Sequence, residues 1–300
     1  MAEEQPQNKK EKISRIYDKY FKIFLLVPII FLLFSLIYMG IFYNKNKDFI
    51  HKDISLTGGS FVTIYDKVDI GDLRATLSEK IGDFNIREIY DLVTKEQKAV
   101  IIETKLSGSE IKKILEEFLG YELNNENSSF EFTGSNLSGS FYKQLLIAIL
   151  IAFLFMAVVV FVIFRKFVPS FVVILSAFAD ILMTLTLVNI LGIKMSSAGI
   201  IAFLMLIGYS VDTDILLTTK CLEKNEIKIN EKIFRAFKTG MTMTLTSICA
   251  VTLALIVVRS FSAVLAQIFT VLIIGLSFDI FNTWVTNASI IKWYLEKNEI

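Results

Sequence analysis

The chain has 300 residues, of which 54% are hydrophobic, and its formal net charge is only +1. Soluble globular proteins usually carry about 45–50% apolar residues, and the excess here is concentrated after residue 145. The nearly neutral charge excludes a general attraction to nucleic acid. Both cysteines, Cys221 and Cys249, lie in that apolar part, which excludes a disulfide framework for the polar segment before it.

This division predicts an α-helical polytopic membrane protein with six transmembrane helices and one ferredoxin-like α+β external domain. We expect a cytoplasmic tail at 1–22, a first transmembrane helix at 23–43, the external domain at 44–141, transmembrane helices two to six within 142–291, and a cytoplasmic tail at 292–300. Each span needs about 20 apolar residues to cross the bilayer. The predicted spans are Ile23–Tyr43, Tyr142–Phe164, Pro169–Asn189, Ser196–Thr219, Thr239–Val258 and Val264–Ile291. The polar start shows no small-residue cleavage site, so we expect the first span to be retained.

Basic residues predict the orientation in the cell membrane. They are concentrated in the N-terminal tail, at Arg165 and Lys166, and in the loop between spans four and five. The short loops on the opposite side contain only Lys194 and Arg259. Since cytoplasmic loops carry the excess of lysine and arginine, both termini are expected to be cytoplasmic and residues 44–141 external.

The polar segment reads as β-α-β-β-α-β, the ferredoxin-like order. A turn at Gly58 and Gly59 leads into the first strand, and Asp69 is expected to cap the first helix. A second amphipathic helix follows a capping sequence at Ser107–Glu110, and a last strand is expected near Ser129–Phe132. The order predicts a fold and no particular function, because this fold has many uses.

Motifs of common enzymes and cofactor sites are absent from the sequence. It contains no phosphate-binding loop, nucleophile elbow, zinc spacing or dinucleotide fingerprint. The single histidine, His51, lies beside Lys52 and Asp53 and is expected to be an ordinary surface residue rather than a metal ligand. We therefore expect no enzyme activity, no cofactor and no metal.

Four acidic residues fall inside predicted spans, where an ionisable group is costly and usually functional. They are Asp180 in span three, Asp212 and Asp214 in span four, and Asp279 in span six. A structural role stays open for Asp180, and also for Asp279, which lies near Asn282, Thr283 and Asn287. Span five adds a hydroxyl-rich stripe that serves either helix packing or an ion path. Its residues are Thr239, Thr242, Thr244, Thr246 and Ser247, with Lys238 at the cytoplasmic end.

Asp212 and Asp214 stand two residues apart, which is about 200° around a helix axis. Both side chains therefore cannot point at one partner. Gly208 before them is small enough for close approach of another helix. A carboxyl group held inside the bilayer can load and release a proton, so we expect at least one of the two to be functional.

The sequence Gly208-Tyr209-Ser210-Val211-Asp212-Thr213-Asp214 resembles the fourth-span motif of the archaeal SecF family, accessory subunits of the Sec translocon. The segment Asp53–Ser60 resembles the D-F-T-G-G motif of that family, and Ala179-Asp180 resembles its third-span acidic site. The resemblance implies membership of the resistance-nodulation-division superfamily and use of an ion gradient. The implied partners are SecD, a SecY-type channel complex, the exported preprotein and membrane lipid.

Two departures from the family pattern affect the expected ion site. Bacterial members place their acid at the position of Thr213, and here acids flank it. Asp212 coincides with the acid position of SecD and is the first choice as ion carrier, with Asp214 second. Lys238 stands where the family has arginine, and lysine is not an equivalent replacement.

The resulting hypothesis is that protonation of Asp212 or Asp214 shifts the packing of spans four to six and moves the external domain. Two alternatives remain open: a structural assembly subunit through which no ion passes, and a half-size exporter of the same superfamily. Replacing both acids with asparagine distinguishes the ion-coupling hypothesis from the structural assembly subunit, because a scaffold tolerates the change and an ion carrier does not.

Overall fold

A computed structural model describes residues 4–82, 84–91, 93–224, 226–260 and 262–298. Among these, six helical segments are long and apolar enough to cross a membrane, which confirms the predicted architecture. The helices on the membrane side are α1 (Glu4–Asn46), α5 (Ser135–Phe164), α6 (Phe167–Ile190), α7 (Ser197–Leu222), α8 (Ile229–Val258), α9 (Ala263–Phe281) and α10 (Ala288–Asn298).

The first and last spans continue as helix into the predicted tails. Helix α1 begins at Glu4, so most of the predicted tail 1–22 is helical, and residues 1–3 lie outside the described residues. Helices α9 and α10 form one span because a π-helical segment, Asn282–Asn287, joins them. Residues 299 and 300 of the second predicted tail are likewise outside the described range.

The ferredoxin-like domain has the predicted β-α-β-β-α-β order, preceded by a short helix α2 (Ile54–Thr57). Its elements are β1 (Gly59–Ile64), α3 (Ile70–Lys80), β2 (Phe84–Tyr90), β3 (Gln97–Thr104), α4 (Gly108–Leu119) and β4 (Ser128–Thr133). The strands lie in the order β2-β3-β1-β4, and every pair is antiparallel. Alternate strand residues such as Val62, Val100 and Ile102 pack against Leu73 and Leu115 of the two helices.

Local sequence explains where these elements begin. The Asp69 side chain accepts hydrogen bonds from the backbone N–H groups of Gly71 and Asp72, at 2.7 and 3.2 Å, and caps α3. Gly58 and Gly59 have φ angles of +85° and +151°, which favour glycine. A Cβ on Gly59 would lie 2.3 Å from the carbonyl oxygen of Thr104 on β3. Strand β1 therefore needs glycine at its first residue.

Helices α6 and α7 form the centre of the membrane part. In the most hydrophobic stretch of each, 56% of the residues are buried by protein, compared with 6% in α5 and 11% in α8. Leu206 of α7 packs with Val188 of α6 and with Val271 and Leu272 of α9. The helices that carry Asp180 and Asp214 are therefore the interior ones.

Close helix approach occurs at other glycines than the expected Gly208. No atom lies within 4 Å of a Cβ built on Gly208, so the expectation of close approach there is wrong within this chain. A Cβ on Gly275 would lie 2.5 Å from Leu206, and one on Gly240 would lie 2.5 Å from the Trp284 ring. The reason is rotational: Gly208 faces outward from α7, whereas Gly240 and Gly275 face the bundle.

Candidate functional site

Three carboxyl groups meet in the middle of the helical bundle. Asp180 of α6, Asp214 of α7 and Asp279 of α9 are each no more than 1% exposed. One carboxylate oxygen from each residue lies within 4.8 Å of those of the other two. The structure therefore brings together three of the four acids singled out in the sequence, from three different spans.

Neutral hydrogen-bond donors surround this acidic cluster, defined as Asp180, Asp214 and Asp279. The Ser210 hydroxyl donates to Asp180 at 2.5 Å, and the Asn282 amide donates to its other oxygen at 2.6 Å. The Thr213 hydroxyl lies 3.1 Å from both oxygens of Asp279. Thr213, at the position where the resemblance puts an acid in bacterial relatives, is thus a neighbour of the cluster.

The π-helical segment supplies several of these donors. Asn287 donates its amide to Asp214 at 2.7 Å, and the Thr283 hydroxyl lies 2.9 Å from Asp214 and 3.2 Å from Asp279. An i→i+5 turn places Asn282 and Asn287 on the same side of the helix, and such turns are often found at functional sites. Proximity of Asn282, Thr283 and Asn287 to Asp279 was visible in the sequence, but the wider turn that aims them at two further acids was not.

Within the part of the chain that the structure describes, the cluster has no cationic side chain to balance its charge. No lysine or arginine among the described residues forms an ion pair with any of the three carboxyl groups. Three negative charges this close in a low-dielectric interior repel one another strongly. Protons or a small cation must therefore accompany the cluster, which gives it the chemistry of an ion-binding site.

Asp212 is not part of the cluster. It is exposed on the outer side of α7, together with Gly208 and Tyr209, while Asp214 is fully buried. The angle of about 200° between positions two apart turns one carboxyl outward when the other points inward. The structure thus places the second-choice acid inside the bundle and the first-choice acid on its surface.

The threonine stripe of α8 also lies outside the cluster. Thr242 and Thr246 are exposed, and their hydroxyls donate to carbonyl oxygens of their own helix, at 2.8 Å to Lys238 and 2.7 Å to Thr242. Lys238 is exposed as well and forms no ion pair with a described residue. These side chains follow one outward strip of α8 and do not reach the three acids.

Two loops between spans form backbone hydrogen bonds with the ferredoxin-like domain and the segment before it. Backbone bonds link the segment before α2 to the α6–α7 loop, at 3.0 Å from Asp53 N–H to Met195 and 2.6 Å from Met195 N–H to His51. A further backbone bond of 3.0 Å runs from the N–H of Tyr90, at the end of β2, to Ser260 in the α8–α9 loop. These loops begin or end α6, α7 and α9, the three helices that carry the cluster.

An ion-pair group lies at this junction. Arg87 of β2 lies 3.1 Å from Glu103 of β3 and 3.7 Å from Asp53. Burial raises the pKa of Glu103 above its ordinary value, an effect that Arg87 opposes and Asp53 reinforces. The junction therefore contains a carboxyl group whose charge is sensitive to pH.

Comparison with known proteins places the chain in a family. A family model described as protein export membrane protein SecD/SecF, C-terminal, matches residues 111–297. The chain is 41% identical over 284 residues to the protein-export membrane protein SecF of Methanocaldococcus jannaschii, covering 92% of this chain and 96% of that protein. It is 34% identical over 291 residues to SecF of Pyrococcus furiosus, covering 97% and 96%.

Solved structures show the same fold. The chain matches SecDF, a translocon-associated membrane protein from Thermus thermophilus, with a TM-score of 0.68 and 17% identity. A structure of SecDF in a super-membrane-facing form matches with a TM-score of 0.61, again at 17% identity. The matches cover 95% and 93% of this chain but only 41% and 39% of the SecDF chains. This chain belongs to the SecD/SecF family of protein-export membrane proteins.

Proposed function

We propose that this chain is a SecF-type subunit that acts with SecD to promote protein export, and that the Asp180–Asp214–Asp279 cluster couples export to an ion gradient. The observation that carries the proposal is the meeting of three buried carboxyl groups, none of which forms an ion pair with a lysine or arginine that the structure describes. Loading or releasing a proton or a small cation changes the net charge of the cluster. That change alters how strongly α6, α7 and α9 are held together.

The same three helices supply a route from the cluster to the external domain. About 17 residues of α7, or about 25 Å of helix, separate Asp214 from Ser197, which follows the loop bonded to Asp53. A small tilt of α6, α7 or α9 therefore moves the loops on which the domain rests. We propose that this movement acts on the exported preprotein, on the side of the membrane opposite the termini.

The energy available from the membrane potential is sufficient for such a switch. A unit charge that crosses 100 mV yields about 2.3 kcal/mol, which shifts a two-state equilibrium by more than about tenfold. A single ion bound per cycle is therefore enough to bias the external domain between two positions.

The outer strip of α7 and α8 supports SecD as the partner. Tyr209 and Asp212 are exposed on α7, and Thr242 and Thr246 are exposed on α8, which packs against α7. A carboxylate at the centre of a span costs about 2.5–3.5 kcal/mol when it faces lipid. We propose that this strip contacts a polar face of SecD, and we assign Asp212 to that contact rather than to ion transfer.

Replacement of Asp214 tests the proposal. We expect Asp214→Asn to leave SecD copurification intact and to slow export into energised membrane vesicles. Separate proton and sodium gradients in the same vesicles identify the coupling ion. Undiminished export by Asp214→Asn would contradict ion coupling at this cluster.

A structural assembly subunit is the second candidate function. The observation in its favour is that each of the three carboxyl groups already accepts hydrogen bonds from neutral donors, as in a network that holds helices together. On this hypothesis Asp214→Asn lowers the thermal stability of the chain and leaves the response of export to the gradient unchanged.

A further inference from the structure

The side chain of Gln267, in the second turn of α9, is bonded to the loop between α6 and α7. Its amide donates to the carbonyl oxygen of Lys194 at 2.6 Å, and its Oε1 accepts from the backbone N–H of Ser196 at 3.0 Å. The Ser196 hydroxyl donates to the same Oε1. Three hydrogen bonds from one side chain therefore join α9 to the loop that precedes α7.

The same loop is also bonded to the segment that leads into the ferredoxin-like domain. Met195, between the two residues that Gln267 holds, pairs with Lys52 in a short parallel bridge. The N–H of Ser197 donates to the Ser55 hydroxyl of α2 at 3.2 Å, and α2 ends just before β1 begins. Residues 194–197 therefore have α9 as one partner and the entrance to the domain as the other.

The start of α7 is built to accommodate Gln267. The Ser196 hydroxyl accepts from the N–H of Gly199 at 3.2 Å and so caps α7 while it donates to Gln267. A Cβ on Gly199 would lie 2.8 Å from the Gln267 Oε1 atom. The missing side chain at Gly199 therefore leaves the space that the Gln267 carbonyl occupies.

Hydrogen bonds transmit a displacement of α9 more directly than apolar packing does. Further along the two helices, Leu206 of α7 packs against Val271 and Leu272 of α9. Such apolar contact is non-directional, so it resists sliding of one helix past the other only weakly. A shift of α9 by about 1 Å would stretch the Gln267 bonds beyond the usual range of about 2.7–3.2 Å unless the loop moved with it. The loop is therefore expected to follow α9.

We propose that Gln267 is a positioning residue for ion-coupled export, and that it carries the displacement of α9 to the α6–α7 loop and so to the ferredoxin-like domain. Asp279 of the acidic cluster lies twelve residues further along α9, which is about 18 Å of helix. The inference rests on the proposed function of the cluster and names the contact through which the cluster acts. A purely structural role, in which Gln267 only closes the loop, is the alternative that the experiment tests.

The experiment measures export in membrane vesicles that contain the full chain and SecD, and compares the rate with an ion gradient to the rate without one. Gln267→Met keeps the length of the side chain and removes the amide that forms the three hydrogen bonds. We expect the ratio of the two rates to fall by about fivefold or more. A purely structural role lowers the amount of assembled complex, which reduces both rates alike and leaves their ratio unchanged.

Two further variants complete the test. Thr270→Val is the matched control, because Thr270 also lies near the start of α9 and its hydroxyl donates to Ala266 of the same helix at 2.8 Å. Gly199→Ala carries the test if Gln267→Met does not fold, because the new Cβ displaces the Gln267 carbonyl. The ratio of rates is expected to fall in Gly199→Ala and to stay unchanged in Thr270→Val.

Asp214→Asn separates failure of this inference from failure of the proposed function. If Asp214→Asn lowers the ratio while Gln267→Met matches Thr270→Val, the role of Gln267 is overturned and ion coupling at the cluster stands. If Asp214→Asn leaves the ratio undiminished, the proposed function is contradicted and this inference is overturned with it.

Discussion

Asp212 and Asp214 stand two residues apart on α7, yet Asp212 is exposed and Asp214 is fully buried beside Asp180 and Asp279. The two carboxyl groups therefore meet different surroundings. The Asp214 carboxyl is in contact with carboxyl, hydroxyl and amide groups of neighbouring helices, whereas the Asp212 carboxyl lies on the outer surface of the helical bundle. One replacement chemistry, aspartate to asparagine, is expected to have different effects at the two positions.

Asp214→Asn is expected to reduce gradient-driven export by about tenfold, because the cluster then loses a group that changes charge. Initial export rates in energised vesicles measure this. Asp212→Asn is the matched variant. It is expected to weaken copurification with SecD and to leave the binding and release of an ion at Asp214 unchanged. Equal effects of the two variants on both readouts would contradict the division of roles.

Thr283→Val is expected to destabilise the isolated chain by about 1–3 kcal/mol, because it removes a hydroxyl that lies within hydrogen-bond distance of the buried carboxyl groups of Asp214 and Asp279. Thermal unfolding in detergent measures the change. Thr246→Val is the control, since that hydroxyl is exposed and bonds only to its own helix. A Thr283 variant as stable as the control would show that the network contributes nothing to stability.

Glu103 is expected to make stability depend on pH. Because burial raises its pKa in the folded state above the ordinary value of 4.5, the folded chain binds the proton more tightly than the unfolded chain. The Glu103 contribution is therefore fully present below pH 4.5 and is lost as pH rises through the raised folded value. The unfolding midpoint of the unaltered chain should thus rise on acidification across this window relative to that of Glu103→Gln.

Glu131→Gln on the exposed edge strand β4 is the control for that comparison. Its difference from the unaltered chain should stay constant across the same pH window. If Glu103→Gln follows the unaltered chain at every pH, the carboxyl group at the junction does not influence stability.

Gly240→Leu is expected to destabilise the isolated chain by more than about 2 kcal/mol, because the new side chain overlaps the rigid Trp284 ring. Gly208→Leu is the matched variant and is expected to leave the isolated chain unchanged, since no atom lies within 4 Å of its Cβ. Thermal unfolding compares the two. A loss of SecD binding by Gly208→Leu alone would support the outer strip as the partner contact.

The ferredoxin-like domain was predictable because its signals are local. Alternating strands, amphipathic helices and the caps at Asp69 and Ser107 each depend on residues a few positions apart. The antiparallel order β2-β3-β1-β4 then follows from burying one face of the sheet under α3 and α4. The docking of β2 against Ser260 was not predictable, because it joins segments distant in the chain.

By itself the sequence determined the six spans, the ferredoxin-like order and the short set of acids within the spans. Only the tertiary structure decided which acids meet. A span that is apolar on every side gives no periodic signal for its rotation, so Asp212 and Asp214 are equivalent until α7 packs between α6 and α9. The π-helical turn that aims Asn282 and Asn287 at the cluster depends on the same packing, since only contact with neighbouring helices compensates for the altered backbone.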